Sequence, residues 1–198
     1  VVGIVIVAAG LVILAMFGIK NIGNSFDAKP IEALIKEAKL DEAKASIDQI
    51  MEKEPEAKGL GRVYFELATA YENKNDTVKA RDIYQIILKK YQGIENISEV
   101  QDKLGKLNIA VLFSRTVTNK DTLYEVQPGD TLINIAKKFG TTVELIKLAN
   151  SLKSDKIQAR AKLKISKVKY KILVDKSQNI LTLLGDDDVV KVYSVSTG

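Results

Sequence analysis

Residues 124–150 read YEVQPGDTLINIAKKFGTTVELIKLAN, and this stretch decides the fold of the segment around it. Tyr124 and Val126 alternate with polar residues, as a short strand should. Pro128-Gly129 is a turn signal. Asp130 or Thr131 is placed to cap a helix whose apolar face is Leu132, Ile135, Ala136 and Phe139. Gly140 falls where a helix end takes a left-handed residue. Thr141-x-x-Glu144 reads as a capping box for a second helix, with Leu145, Leu148 and Ala149 turned inward. Lys162 to Ser166, alternating through Leu163 and Ile165, supplies a closing strand. The spacing predicts a βααβ unit from Tyr124 to Ser166.

Those residues resemble the LysM family. The pattern Tyr-x-Val-x-x-Gly-Asp-Thr-Leu is carried by Tyr124, Val126, Gly129, Asp130, Thr131 and Leu132. Ile135-Ala136 matches the pair in the first helix. Asn150, Leu152 and Ile157 match the second loop. One departure is Ala159-Arg160, where many members carry Pro-Gly or a similar turn. The resemblance implies a shallow groove for N-acetylglucosamine-containing glycan, made by the loop after the first strand and the loop before the last. Carried over onto this chain, the glycan-binding residues are Gly129, Asp130, Thr131 and Leu132 from the first loop and Ser151, Leu152 and Ile157 from the second. A purely structural role, with Asp130 as N-cap and Leu132 as core, accounts for those two equally well.

Working outward, charge is uneven over the 198 residues. Residues 20–123 hold 17 Lys/Arg and 17 Asp/Glu, and residues 124–166 hold 8 and 4. Most of the net +5 therefore sits in the LysM-like unit. A basic surface suits anionic lipid, nucleic acid or an anionic wall polymer, and equally a solvated lysine face. Nucleic acid is not expected beside a membrane anchor and a sugar-binding module. Cysteine and histidine are absent, which excludes disulfides and Cys/His zinc sites. No cofactor or metal is expected.

Val1 to Ile19 carries no charged or strongly polar side chain. As a helix it would rise about 28 Å, near the hydrocarbon thickness of a bilayer. Residues 1–20 are therefore expected to be a transmembrane anchor; a cleaved signal or a buried soluble helix is the alternative. Because the chain starts on Val1, a preceding segment is expected.

Residues 27–113 read as helices. Tyr64, Leu67, Ala68, Tyr71, Ala80, Tyr84 and Ile87 resemble the tetratricopeptide spacing, with Ala68 and Ala80 letting two antiparallel helices approach. Ala43, Ile47 and Ile50 repeat part of that pattern upstream, and Ile97 to Phe113 is expected to cap the stack. So few repeats suit a spacer, or a groove for a protein partner. Residues 114–123 are expected to be a polar linker.

Three alternating segments follow: Lys169 to Asp175, Ile180 to Leu184 and Val189 to Thr197, with an acidic turn at Gly185–Asp188. Val174 to Asn179, Leu181-Thr182-Leu183 and Tyr193 to Gly198 resemble the opening of an L,D-transpeptidase catalytic domain of the YkuD type. Residues 169–198 are expected to be the first part of such a domain, continuing past Gly198. That chemistry is acyl transfer on peptidoglycan stem peptides by a Cys thiolate with a His base. Since this chain has neither, no catalytic residue is assigned in it and it is expected to be inactive. Ser194, Ser196 and Thr197 read as structural.

The expected fold class is multidomain α+β: a transmembrane helix, a helical repeat segment, a βααβ module and an incomplete antiparallel sheet. The expected function is a membrane-anchored, peptidoglycan-binding part of an L,D-transpeptidase. A non-catalytic cell-wall adaptor is the alternative. The expected place is the bacterial inner membrane, single-pass, with the bulk of the chain in the periplasm or wall space.

Overall fold

The computed structural model describes residues 26–196. The run expected to cross a membrane, residues 1–20, lies outside them, as does the end of the last expected strand. Among the described residues no helix is long and apolar enough to cross a membrane. Seven helices and two small antiparallel sheets are present among them. The chain divides into two compact units between Val100 and Gln101.

The first unit is helical: α1 (Lys29–Lys36), α2 (Leu40–Lys53), α3 (Leu60–Asn73) and α4 (Thr77–Lys90). The apolar residues recur at helical spacing, so each helix buries one face: Ala43 and Ile47 on α2, Tyr64, Leu67, Ala68 and Tyr71 on α3, Ala80, Ile83, Tyr84 and Ile87 on α4. Each buried tyrosine needs an acceptor for its hydroxyl. Tyr64 donates to Asp48 at 2.9 Å, Tyr71 to Asp41 at 2.6 Å and Tyr84 to Glu72 at 2.6 Å. Burial first, and then these carboxylates, push all three phenols upward from their ordinary pKa. Tyr64 and Tyr71 thereby tie α3 to α2. Asp76 caps α4 by accepting from the Lys79 N–H at 3.2 Å. Pro55 stands just past α2, where it cannot extend the helix.

Helix α5 (Ile97–Leu112) crosses the division, and its residues from Gln101 onward belong to the second unit, so it is more than the cap of a helical stack. The second unit continues through β1 (Asp121–Glu125), α6 (Leu132–Phe139), α7 (Val143–Asn150), β2 (Lys162–Ser166) and a meander of β3 (Tyr170–Asp175), β4 (Ile180–Gly185) and β5 (Asp188–Ser194). β1 and β2 are antiparallel, with Asp121 opposite Ser166 and Glu125 opposite Lys162. β1 begins three residues earlier than Tyr124, inside the expected linker. The reason lies in Asp121: its carboxylate accepts from the Thr118 N–H and hydroxyl, both at 2.8 Å, which turns the chain into the strand.

Val126, Leu132, Ile135, Ala136, Ile146, Leu163 and Ile165 form the core of the βααβ segment, with Tyr124, Phe139, Leu152 and Ile157 packed around it. Each fully buried Leu or Ile stabilises by about 1.5–3 kcal/mol. α6 and α7 both end in left-handed residues, Gly140 and Ser151. In each case the next N–H reaches back five residues, Thr141 to Ala136 at 3.0 Å and Leu152 to Lys147 at 2.9 Å.

One expectation is decided and two shift. Of the two offered caps for α6, Thr131 serves, accepting from the Asn134 N–H at 3.2 Å. Thr142, not Thr141, caps α7, accepting from Leu145 at 3.1 Å. This turns Ile146 and Ala149 inward and leaves Leu148 52% exposed.

The meander carries apolar side chains on both faces with little cover, among them Ile172 at 67% exposed. At one edge α5 meets it: the Asn108 side chain donates to the Val190 carbonyl at 2.9 Å. Asp186 and Asp187, both at positive φ, form the β4–β5 turn. Asp186 accepts from the Lys169 N–H at 2.9 Å, while Asp187 pairs with Lys171 and Asp188 with Lys120.

Candidate functional site

Two loops of the second unit meet at one end of the β1–β2 pair. The Val126 N–H donates to the Ala161 carbonyl at 2.9 Å, and the Arg160 N–H to the Val126 carbonyl at 2.7 Å. These bonds extend the ladder past the strands and hold the loop before α6 against the loop after α7. All seven candidate residues lie on or beside these loops: Gly129, Asp130, Thr131 and Leu132 in the first, Ser151, Leu152 and Ile157 in the second.

The first loop is a tight turn. The Asp130 N–H donates to the Gln127 carbonyl at 3.1 Å, with Pro128 and Gly129 between. Gly129 sits at φ +86°, the third position of a type II turn, which a Cβ would strain. The Asp130 carboxylate closes the turn from inside, accepting from the Gln127 N–H at 2.8 Å and the Tyr124 hydroxyl at 2.7 Å. The Lys138 ammonium lies 4.6 Å from the centre of the Tyr124 ring, whose edge packs on Phe139.

Asp130 is therefore held below the usual carboxylate range, first by the Gln127 N–H, then by the Tyr124 hydroxyl, with Lys138 adding to it. The same bond raises the Tyr124 phenol. A depressed carboxylate contributes at and above its unfolded pKa and is lost as pH falls through its lower folded pKa. The turn is thus expected to stay closed at mildly acidic pH and to loosen only below the ordinary carboxylate range. Asp130→Ala should speed amide hydrogen exchange at Gln127 about tenfold or more, read by NMR, while the core amides hold their protection.

Leu132 is 2% exposed and belongs to the core, so its side chain is not part of the loop surface. Leu152 and Ile157 are half-buried, packed below on the core and open above. Ser151 is the left-handed residue that ends α7, at φ +55°. These positions leave the two loops with backbone polar groups from two turns and two partly exposed aliphatic side chains.

The departure at Ala159-Arg160 has a definite geometry. The Ala161 N–H donates to the Gln158 carbonyl at 3.1 Å, closing a turn with Arg160 at φ +70°. The conformation wanted by the usual glycine is kept, and an arginine occupies it. Left-handed backbone costs such a residue about 1–2 kcal/mol, and glycine would give back part of that in unfolded-chain entropy. Arg160→Gly is accordingly expected to raise stability by about 0.5–1 kcal/mol in urea denaturation.

Two residues that sequence reasoning passed over hold the loops in place. Asn150, known from the pattern only as the residue before the second loop, is 3% exposed. Its amide donates to the Ile146 and Lys164 carbonyls and accepts from the Lys164 N–H, each at 2.8 Å. Lys164, which strand alternation sets on the face opposite Leu163 and Ile165, is 2% exposed. Its ammonium donates to the Val111 carbonyl at 2.7 Å and the Ser114 carbonyl at 3.1 Å, with the buried Asp121 carboxylate 3.8 Å away. Strand alternation alone gave no signal for it.

No group of acidic side chains that could hold a metal occurs among the described residues. Residues 124–166 match the family model described as LysM domain. The chain is 43% identical over 54 residues to the cell wall-binding protein YocH of Bacillus subtilis (strain 168), an alignment covering 25% of this chain and 19% of that protein. The chain thus spans about a fifth of the curated relative it matches. No solved structure matches it significantly. Residues 124–166 of this chain form a LysM domain.

Proposed function

We propose that the LysM domain binds peptidoglycan, through its N-acetylglucosamine-containing glycan, in the groove between the two loops. The observation that carries the reading is the pairing of Val126 with Arg160 and Ala161, which sets two closed turns side by side. Backbone N–H and C=O groups near Gly129, Asp130, Thr131, Leu132 and Ser151 would meet acetamido and hydroxyl groups, and Leu152 and Ile157 the sugar faces. The printed name of the Bacillus relative, a cell wall-binding protein, supports the same ligand. Sedimentation of the chain with purified peptidoglycan tests it. The protein is expected in the pellet, and recovery in the supernatant would sink the reading.

A wider role is proposed on separate grounds. The apolar run Val1–Ile19 suits a single-pass anchor of the bacterial inner membrane, with the rest of the chain in the periplasm or wall space. The uncovered apolar faces of the β3–β4–β5 meander suit the outer layer of a larger domain, which supports the resemblance to an L,D-transpeptidase. In that role the LysM domain holds an acyl-transfer enzyme against its substrate. The helices of the first unit serve as a spacer or as a docking surface for a protein partner.

A further inference from the structure

The β3–β4–β5 meander has two outer edges, and they differ. At the β5 edge the ladder is irregular beside Leu183 and Leu184, and the Asn108 side chain of α5 donates to the Val190 carbonyl at 2.9 Å. At the β3 edge no other strand pairs among the described residues. The Asp186 N–H donates to the Lys169 carbonyl at 3.0 Å, just outside the first pair of the ladder, Tyr170 with Gly185. Bonded and non-bonded residues alternate along an antiparallel pair. Lys171, Leu173 and Asp175 therefore bond to β4, and the N–H and C=O groups of Ile172 and Val174 point to the free edge. Such edges are ordinarily blocked by proline, a bulge or lysine, because a free row of backbone groups invites another strand. β3 has no proline, and its register with β4 is unbroken. Its lysine, Lys171, leans to Asp187 in the β4–β5 turn at 3.0 Å. Ile172, Leu173 and Val174 are all exposed.

The order of residues along this edge selects the strand that fits it. Residues 170–175 read YKILVD. Laid antiparallel on a second copy about Leu173, they set Lys171 opposite Asp175, Ile172 opposite Val174 and Leu173 opposite itself. The register also meets the alternation, since Ile172 and Val174, whose backbone groups face outward, become the bonded pair on each side of the axis. Charge is matched as well as shape, with a cation facing an anion at both ends. Asp175 is held ready for a cation. Its Oδ1 accepts from the Ser177 N–H at 2.9 Å, the Ser177 hydroxyl at 2.6 Å and the Gln178 N–H at 3.2 Å, and Oδ2 takes none of these bonds. They keep the carboxyl below its ordinary range, the Ser177 hydroxyl most of all, so it is ionised at neutral pH.

We propose that β3 is a self-association edge: two copies of this chain pair antiparallel through β3 about Leu173, joining their meanders into one continuous sheet, with Lys171 of each copy against Asp175 of the other. The pairing uses the strand edge and leaves the faces of the sheet open to a further layer, so it is compatible with a meander that belongs to a larger domain. A single strand edge is small against the roughly 1,200 Å² of a stable interface, so the pair forms and separates with concentration. A pair carries two LysM domains. On the peptidoglycan reading above, that raises retention on a polymeric wall through avidity.

Sedimentation velocity of the whole chain over a concentration series tests it, in mild detergent that shields the apolar run Val1–Ile19. The wild type is expected to shift from monomer to dimer as concentration rises. Lys171→Glu and Asp175→Lys should each stay monomeric, because each sets like charges together at both ends of the paired strands. An equimolar mixture of the two should regain the dimer, because the swapped charges then meet their opposites, and misfolding does not give that result. Val174→Pro should abolish the dimer and keep the circular dichroism of the wild type, since the N–H it removes serves only the free edge. The chain has no cysteine, so Leu173→Cys reports the register: it should give a disulfide-linked dimer, and Lys171→Cys should not. A wild type that is monomeric throughout, two folded variants whose mixture associates no more than either alone, or equal cross-linking of Leu173→Cys and Lys171→Cys would overturn the inference. None of these outcomes bears on whether the chain sediments with peptidoglycan, so the two readings fail separately.

Discussion

Replacing Lys164 with methionine is expected to cost about 3–5 kcal/mol of stability in the second unit. The substitution keeps the length of the side chain and removes only its charge and donors. The ammonium sits among the Val111 and Ser114 carbonyls, at 2.7 and 3.1 Å, with Asp121 3.8 Å away. The carbonyls are the closer partners; Val111 is in the last turn of α5, and its carbonyl also accepts from the Ser114 N–H at 3.2 Å and hydroxyl at 3.0 Å. Asp121 keeps its two bonds from Thr118 but loses the cation that offsets its burial. Lys164→Met/Asp121→Asn should therefore recover about 1–2 kcal/mol relative to the single variant, as charge and countercharge leave together. Urea denaturation followed by far-ultraviolet circular dichroism gives both values. A single-variant loss below about 1 kcal/mol would show that water reaches the ammonium and that its burial counts for little.

Asn150→Ala is expected to cost about 3 kcal/mol and to unfold the LysM domain at moderate temperature. Its amide makes three bonds of 2.8 Å, two of them to the backbone of Lys164. β2 has only one strand neighbour, so the Lys164 N–H and C=O face away from the ladder. Asn150 supplies both the acceptor and the donor that a further strand would have supplied. Truncation leaves a buried donor and a buried acceptor unpaired, each worth about 1–3 kcal/mol. Asn150→Asp should be no rescue, because a carboxylate can accept from the N–H but sets a charge against two carbonyls. The readouts are the thermal midpoint and the exchange rate of the Lys164 amide, which should lose its protection first. An unchanged Lys164 amide in Asn150→Ala would refute this account of the edge.

Much of the βααβ segment could be read from residues 124–166. Pro128-Gly129 chose the turn, Gly140 stopped the first helix, and the apolar period placed Leu132, Ile135 and Ala136 inside. Those features depend on neighbours within four residues, where steric and hydrogen-bonding rules act directly. The open choice of cap at α6 and the one-residue error at α7 have the same source. Thr131 and Asp130, or Thr141 and Thr142, offer nearly equal oxygens to the same N–H groups, and the fold selected between them. Asp130 was free to leave the cap because Tyr124, brought across by packing on Phe139, offered its hydroxyl.

The sequence by itself determined that residues 124–166 make a strand, two capped helices and a strand, and that most of the net positive charge sits in them. Local propensity and charge are properties of the chain before it folds. Only the tertiary structure decided what Asn150, Lys164 and Arg160 do. Asn150 completes the edge of a strand 14 residues on, Lys164 holds carbonyls 50 and 53 residues back, and Arg160 keeps a turn against Val126. Such roles exist only once the chain closes on itself, because an unmade hydrogen bond becomes costly when folding removes the water that would have satisfied it.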